Sequence, residues 1–189
     1  MADLEQRDVI DVDLSNFEKT LDLIQTMGNK SPRMLQATVR QAGRRAMTPW
    51  RQATAKQAGV KARKIQRSTK TKSYASAGEF IYEIRVRAEW SYLTEFSPAQ
   101  TDEGIEASPW GSRQIFAGSF FGTVEAGKSD KSHLGVFIRQ TEDRLPIRQL
   151  YGPNVAIEGA RGKAADTFEK ESEEALNATL QQEIAQLFT

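Results

Sequence analysis

The stretch EFIYEIRVRAEW, residues 79–90, decides the fold that the sequence predicts. Phe80, Tyr82, Ile84 and Val86 recur at every second position, with charged residues between the last three. A period of two places these side chains on one face of a strand, so that this face is buried and the other is solvated. The pattern favours an antiparallel sheet, and the segments on either side indicate what packs against it.

A long helix is predicted upstream of this strand. Ser31 and Pro32 form an N-cap followed by a first-turn proline, and Gly59 supplies the stop. Between these ends, apolar or small residues recur every three or four positions, at Leu35, Val39, Ala42, Ala46, Trp50 and Ala53. Pro49 inside the helix removes one backbone hydrogen bond, so we expect one kinked helix.

The residues before this helix are acidic. Residues 1–14 contain the alternating run DVIDVD, which predicts an N-terminal arm, either a short strand or an extended segment. A capping-box spacing at Ser15 and Glu18 then begins a short helix that stops at Gly28. The main domain is therefore expected to cover residues 15–189.

A loop, two strands and a helix are predicted after residue 90. Residues 97–112 are rich in proline, glycine, serine and acidic residues, which predicts an exposed loop. Residues 113–127 and 133–141 have strand patterns and are separated by a polar turn. From about residue 161 to residue 187, one helical face carries Ala165, Phe168, Ser172, Leu176, Leu180, Ile184 and Leu187. Together these elements predict a single α+β domain, with an antiparallel sheet of about four strands flanked by N-terminal helices and a long C-terminal helix.

Positive charge is concentrated in the middle of the chain. The formal net charge is only +1, yet no acidic residue lies between Leu23 and Gly78. The candidate basic surface is formed by Lys61, Arg63, Lys64, Arg67, Lys70 and Lys72. Such side chains contact nucleic-acid phosphates without sequence preference, but they equally form a solvated face or meet the acidic ends of a neighbouring subunit. Since no aromatic residue lies between Trp50 and Tyr74, duplex contact is favoured over single-strand recognition.

Residue types that carry catalysis are scarce. The chain has no cysteine and one histidine, His133, which lies in a polar stretch typical of a surface turn. Asp102, Glu103 and Glu106 lack the spacing of a calcium loop, so a solvated acidic loop is preferred to a metal site. We predict no catalytic residue, no metal and no cofactor.

Neither an export signal nor a membrane span is predicted. The N-terminal residues are acidic, and no apolar run approaches the roughly 20 residues that a bilayer requires. We therefore expect no membrane partner. The absence of cysteine fits assembly in a reducing cytoplasm.

The stretch LPIRQLYGPNV, residues 145–155, sets apolar side chains between two prolines. Because the prolines restrict the residues that precede them, the segment is predicted to be too irregular for a helix or a strand. Its apolar side chains either close the domain's own core, which is the favoured interpretation, or present a rigid docking surface to a partner. The candidate docking residues are Leu145, Pro146, Ile147, Leu150, Tyr151, Gly152 and Pro153.

The order of these motifs resembles the minor tail protein Z family of tailed bacteriophages. A basic helical half, GVKARKIQRSTK, the aromatic strand GSFFGTV, VFIRQ, LPIRQLYGPNV and a C-terminal helix follow one another from about the second helix to the end of the chain. The most specific part is VFIR followed by LPI and LYGP. A serine and later a proline commonly follow the GP in that family, whereas Asn154, Val155 and Ala156 follow it here.

The resemblance implies a non-enzymatic virion component, a tail-completion protein at the head-proximal end of the tail that prepares it for head-tail joining. The implied partners are other tail and neck proteins, namely the tail tube, the terminator and the head-closure ring. A ring of identical subunits is also expected, since a basic middle and acidic ends supply complementary surfaces. In such a ring the basic residues would face either the DNA path or a neighbour. The nearest alternative is a tail-terminator or head-closure ring protein, followed by a non-specific duplex-DNA-binding accessory protein.

Overall fold

The computed structural model describes residues 31–125 and 132–187. The predicted arm over residues 1–14, the short helix before Gly28 and most of the predicted turn after residue 127 lie outside the described residues. Contacts divide the described chain into two compact units, where the sequence pattern predicts one domain. The first unit contains residues 31–53, 69–86 and 159–187, and the second contains residues 54–68, 87–125 and 132–158.

In the described chain, two α-helices precede nine strands and two further α-helices follow them. The helices are α1 (Ser31–Ala58), α2 (Ala62–Ser68), α3 (Val155–Gly159) and α4 (Gly162–Leu187). The strands are β1 (Thr69–Ser76), β2 (Glu79–Val86), β3 (Trp90–Tyr92), β4 (Ala99–Gln100), β5 (Gly104–Ala107), β6 (Gln114–Ala117), β7 (Ser119–Glu125), β8 (Ser132–Arg139) and β9 (Ile147–Asn154). Every strand pair among the described residues is antiparallel, so the predicted α+β class is confirmed, with a four-stranded sheet and a long C-terminal helix.

A hairpin of β1 and β2 belongs to the first unit. Its register pairs Ser76 with Glu79, which leaves Ala77 and Gly78 as the loop. Both loop residues have positive φ, 52° and 88°, as a type I′ turn needs in order to match the twist of the strands. β2 is the strand predicted from its alternation. β1 was not predicted, because TKTKSYAS carries no apolar alternation of its own.

Helices α1 and α4 form the core of the first unit. Ala42 packs with Ala175, Leu176 and Leu180, and Met34, Leu35 and Val39 pack against this cluster. Phe168 and Ser172 are also buried, which confirms the predicted inner face of α4 over this stretch. The fully buried Trp50 donates a hydrogen bond from Nε1 to the carbonyl oxygen of Gly159 at 2.9 Å. Apolar packing therefore holds α1 on α4, and the tryptophan, whose polar atom has a partner, ties α1 to Gly159.

The second unit contains two sheets. The four-stranded sheet has the order β3-β9-β8-β7, and the three-stranded sheet has the order β4-β5-β6. Leu93, Phe96, Ile105, Ala107 and Val136 form the core, and partly buried side chains from both sheets pack against it. The predicted strand over residues 113–127 is two strands, β6 and β7, which are separated at a glycine of positive φ, Gly118.

The predicted exposed loop over residues 97–112 is corrected by the structure. It contains β4, β5 and a 3-10 turn at Pro109–Gly111, and Ile105 and Ala107 are buried in the core. A Cβ at Gly104 would overlap the carbonyl oxygen of Phe116, so β5 and β6 approach more closely than a larger residue allows. Only parts of this segment are exposed, among them the acidic Asp102 and Glu103.

The contact between α1 and β2 generates a stability prediction. A Cβ at Gly43 of α1 would overlap the ring of Tyr82 of β2. We expect Gly43→Ala to lower the free energy of unfolding by about 1–3 kcal/mol through overpacking, although alanine favours a helix by about 1 kcal/mol. In a Tyr82→Ala background the same change should be neutral or stabilising. Urea unfolding of the four variants measures both effects, and a Gly43→Ala protein as stable as the parent would contradict the packing.

Candidate functional site

A buried carboxylate, Glu158, joins three segments of the second unit. Its Oε1 accepts a hydrogen bond from Trp110 Nε1, and its Oε2 accepts one from Gln57 Nε2, each at 3.0 Å. Gln57 Nε2 also lies 3.0 Å from the Glu158 carbonyl oxygen. At the start of α3, the Asn154 side chain accepts the backbone N–H of Ala156 at 3.0 Å, as an N-terminal cap does. Because β9 runs directly into α3, this network fixes the C-terminal end of β9.

Four of the six predicted basic residues line one groove. Lys61 precedes α2, and Arg63, Lys64 and Arg67 lie on α2. With Arg87, which the sequence analysis did not single out, they line an open groove of about 790 Å³ that we call the basic groove. Its acidic members are two glutamates, Glu89 and Glu95, so five cations face two carboxylates and the formal charge is +3. The groove is therefore suited to an anionic surface.

Hydrogen bonds hold the wall of the basic groove. The backbone N–H of Arg87 donates to the Ser68 carbonyl oxygen at 2.8 Å, which brings residue 87 beside the end of α2. Lys64 Nζ contacts both carboxylate oxygens of Glu95 at 2.7 and 2.8 Å, and Glu95 also accepts the backbone N–H of Tyr92 at 3.1 Å. Lys64 is thus engaged within the wall. The described residues form no ion pair with the remaining lining cations, Lys61, Arg63, Arg67 and Arg87.

The other two predicted basic residues do not line this groove. Lys70 and Lys72 are exposed on β1, which belongs to the first unit. Lys72 Nζ lies 5.1 Å from the ring centroid of Tyr74, a cation–π contact along its own strand. The structure therefore divides the predicted basic surface between two units, because the run changes from helix to strand at Thr69.

The stretch 145–155 forms a regular strand over most of its length, so the prediction of an irregular segment is wrong. β9 pairs with β8 through Ile147 to Leu150 and with β3 at Tyr151 and Asn154. The register between β3 and β9 shifts between these two pairs, at Gly152 and Pro153. A sheet tolerates proline at a bulge. Pro153, one of the prolines that predicted an irregular segment, therefore lies where a strand can accept it.

One end of this stretch is buried and the other is exposed. Gly152 and Pro153 are buried, and a Cβ at Gly152 would lie 2.7 Å from the ring of Phe96. Leu150 is half-buried against the core. The exposed members are Leu145 at 65%, Ile147 at 38%, Tyr151 at 44%, and Pro146. The core-closing interpretation therefore describes the second half of the stretch, and the first half supplies the exposed surface that a docking role needs.

Tyr92 on β3 extends the exposed part of β9. It pairs directly with Tyr151, and their ring centroids lie 5.7 Å apart. The ring of His133 on β8 lies 5.5 Å from Tyr92, so the prediction of a histidine in a surface turn is wrong. We call Tyr92, Leu145, Ile147 and Tyr151 the β9 patch. All four side chains are large, apolar and exposed. Exposed apolar side chains on a rigid backbone are typical of an interaction surface.

The sequence contains a pattern that identifies Tyr92 as a strand residue. The alternation that predicts β2 continues beyond Val86 to Trp90 and Tyr92, at every second position. Extended as far as Tyr92, this alternation predicts an aromatic side chain on a further strand after β2. Arg87 has no comparable signal, because its place in the groove depends on the hydrogen bond to Ser68 across the fold.

The three acidic residues considered as metal ligands have different environments in the structure. Asp102 and Glu103 are exposed, and Glu106 on β5 accepts a hydrogen bond from Arg113, which lowers the pKa of the Glu106 carboxyl. The described residues contain no group of three or more histidine, cysteine, aspartate or glutamate side chains that could hold a metal ion. Over the same residues, no helix has both the length and the hydropathy of a membrane span.

No protein-family model, no curated protein and no solved structure matches the chain. The resemblance to the minor tail protein Z family therefore rests on the sequence motifs and stays a prediction.

The Glu158 network generates a second stability prediction. We expect Glu158→Ala to lower the free energy of unfolding by about 1–3 kcal/mol, because Trp110 Nε1 loses its acceptor and Gln57 keeps only the backbone carbonyl oxygen of residue 158. Glu103→Ala, at an exposed glutamate of the same unit, should change it by less than about 0.5 kcal/mol. Urea unfolding followed by tryptophan fluorescence measures both, and equal losses in the two variants would show that Glu158 does not organise the unit.

Proposed function

We propose that this protein is a structural virion component of a tailed bacteriophage, a tail-completion protein at the head-proximal end of the tail that prepares it for head-tail joining. The motif order from GVKARKIQRSTK to the C-terminal helix supports the family assignment. The α+β architecture, with a four-stranded antiparallel sheet and a long closing helix, agrees with it.

The observation that carries the proposal is the division of LPIRQLYGPNV into a buried anchor and an exposed apolar end. Pro153 and Leu150 hold β9 against the second unit's core, and Leu145, Ile147 and Tyr151 remain accessible. Exposed apolar side chains on a rigid strand lose little conformational entropy on binding, so they are efficient docking groups. The family's most specific motif thus coincides with the surface best suited to a protein partner.

The proposed partners are the tail tube, terminator and head-closure proteins and further copies of this chain in a ring. The β9 patch would bind a neighbour in the neck through apolar contacts. The basic groove would face either the DNA path or a carboxylate-rich surface of an adjacent subunit. The role requires no catalytic group, metal or cofactor, and the site of action is the virion, after assembly in the host cytoplasm.

Deletion of this gene from its phage tests the role. We expect negative-stain electron microscopy to show DNA-filled heads and tails of normal length that are not productively joined. Tails of abnormal length or heads that leak DNA would instead identify a terminator or head-closure ring protein. Normal, infectious particles would contradict a structural role.

Complementation of that deletion tests the β9 patch. Leu145→Ser with Tyr151→Ser should fail to restore joining, because both changes remove exposed apolar surface without disturbing the core. Arg148→Ser, an exposed position on the same strand, should restore it as the parent gene does. Solubility and an unchanged melting temperature of both variants would exclude misfolding. Full complementation by the double variant would show that the β9 patch is not a docking surface.

A further inference from the structure

The outer surface of α1 carries a row of arginines. Arg33, Arg40, Arg44 and Arg51 are separated by seven, four and seven residues. At 3.6 residues per turn these positions fall within about 40° of one line along the helix, and the row is about 27 Å long. The opposite side of the helix packs on α4 through Ala42 and its neighbours. Arg33, Arg40 and Arg44 are exposed and point away from the core of the first unit, whereas Arg51 at the end of the row is half-buried.

The centre of this row borders a shallow groove. Arg40, Arg44 and Arg45 line an open depression of about 380 Å³ together with Ala37 and Gln41. All three arginines are exposed. The other side chains that line this groove, Ala37 and Gln41, are uncharged, so they do not repel an anionic chain that approaches the guanidinium groups. Guanidinium groups bind phosphate through two parallel hydrogen bonds, so this arrangement favours a phosphate chain over an isolated charge.

The chain does not neutralise these arginines with its own described carboxylates. Recorded ion pairs join Lys64, Arg85, Arg113 and Lys170 to glutamates, and none of the described residues forms one with Arg40, Arg44 or Arg45. α4, which packs on α1, carries several glutamates, yet they do not pair with the row. The 28-residue helix contains no acidic residue at all.

The row is unfavourable for the helix itself. Arg40 and Arg44 are spaced i, i+4, where like charges destabilise a helix by a few tenths of a kcal/mol. Arg33 lies near the positive end of the helix dipole, where a cation is also unfavourable. The packing of α1 on α4 offsets these local costs, and a polyanion bound to the row would remove them.

We infer that the arginine row of α1 binds the phosphate backbone of duplex DNA. A single phosphate or nucleotide occupies only one or two of the arginines, whereas a duplex presents a charge about every 1.7 Å along its axis. α1 offers no exposed aromatic side chain for base stacking, since its tryptophan, Trp50, is fully buried, so single-stranded nucleic acid has no platform here. The row therefore fits a sequence-independent, salt-dependent duplex contact.

This inference is separate from the basic groove and does not rest on the proposed function. If the protein is a structural virion component that does not contact DNA, the particle phenotypes described above would still be observed. Conversely, a DNA-binding protein outside a virion would still show the binding described next.

Fluorescence anisotropy of the purified full chain with a labelled duplex of about 30 base pairs tests the inference, over a salt range of about 50–200 mM. The variant Arg33→Gln/Arg40→Gln/Arg44→Gln should bind at least about tenfold more weakly and reduce the slope of log K against log salt by about 2–3. The matched control is Arg144→Gln/Arg148→Gln/Lys163→Gln, which removes the same charge at exposed positions outside α1 and the basic groove. It should bind within about twofold of the parent.

Several results would overturn the inference. These are no binding by the parent chain, an unaffected α1 variant, or a control variant that loses as much affinity as the α1 variant. Tighter binding of a single strand of equal length would exclude the duplex as the ligand. Displacement of the labelled duplex by a polyglutamate peptide at equal charge concentration would assign the row to an acidic protein partner. Circular dichroism melts that match the parent exclude unfolding, since every substituted side chain is exposed.

Discussion

The buried carboxylate of Glu158 is the interaction on which the second unit depends. It is 3% exposed and accepts Trp110 Nε1 and Gln57 Nε2, so the end of α1, the 3-10 turn at Pro109–Gly111 and α3 meet at one side chain. A buried charge is tolerated only when its acceptor capacity is used, which fixes the positions of its donors. Because α3 continues directly from β9, this network fixes the C-terminal end of β9, and pairing with β8 and β3 orients the rest of the strand.

Elements with a local period were predictable from the sequence. Alternation predicts β2, caps and recurring apolar positions predict α1, and recurring apolar positions predict α4, because in each case the buried face repeats within one continuous segment. β9 was missed because Pro146 and Pro153 indicated a broken backbone. The structure places Pro153 at a shift of register against β3, a feature of strand pairing that no local pattern encodes.

The short elements show the same limit. β5 has four residues in a glycine-rich and acidic segment, and it is a buried strand because β4 and β6 pair with it on both sides. α2 buries only Ile65 and Ser68 within a basic run, too few positions to establish a helical period. The basic groove could be predicted in part from charge, but Arg87 joins it only through its backbone contact with Ser68.

Two surfaces of different chemistry emerge, and each belongs to its own unit. The β9 patch is apolar and held by a sheet, which suits a permanent protein contact. The arginine row is charged and held by a helix, which suits a polyanion and a contact that weakens with salt. A structural protein that docks to other proteins near DNA would use both chemistries, and neither requires a reactive group.

Cryo-electron microscopy of the neck of the intact virion tests the central claim most directly. We expect density for this fold in a ring at the head-proximal end of the tail, with Leu145, Ile147 and Tyr151 buried against a neighbouring subunit. Absence of the fold from that position, or a ring in which these three side chains face solvent, would contradict it.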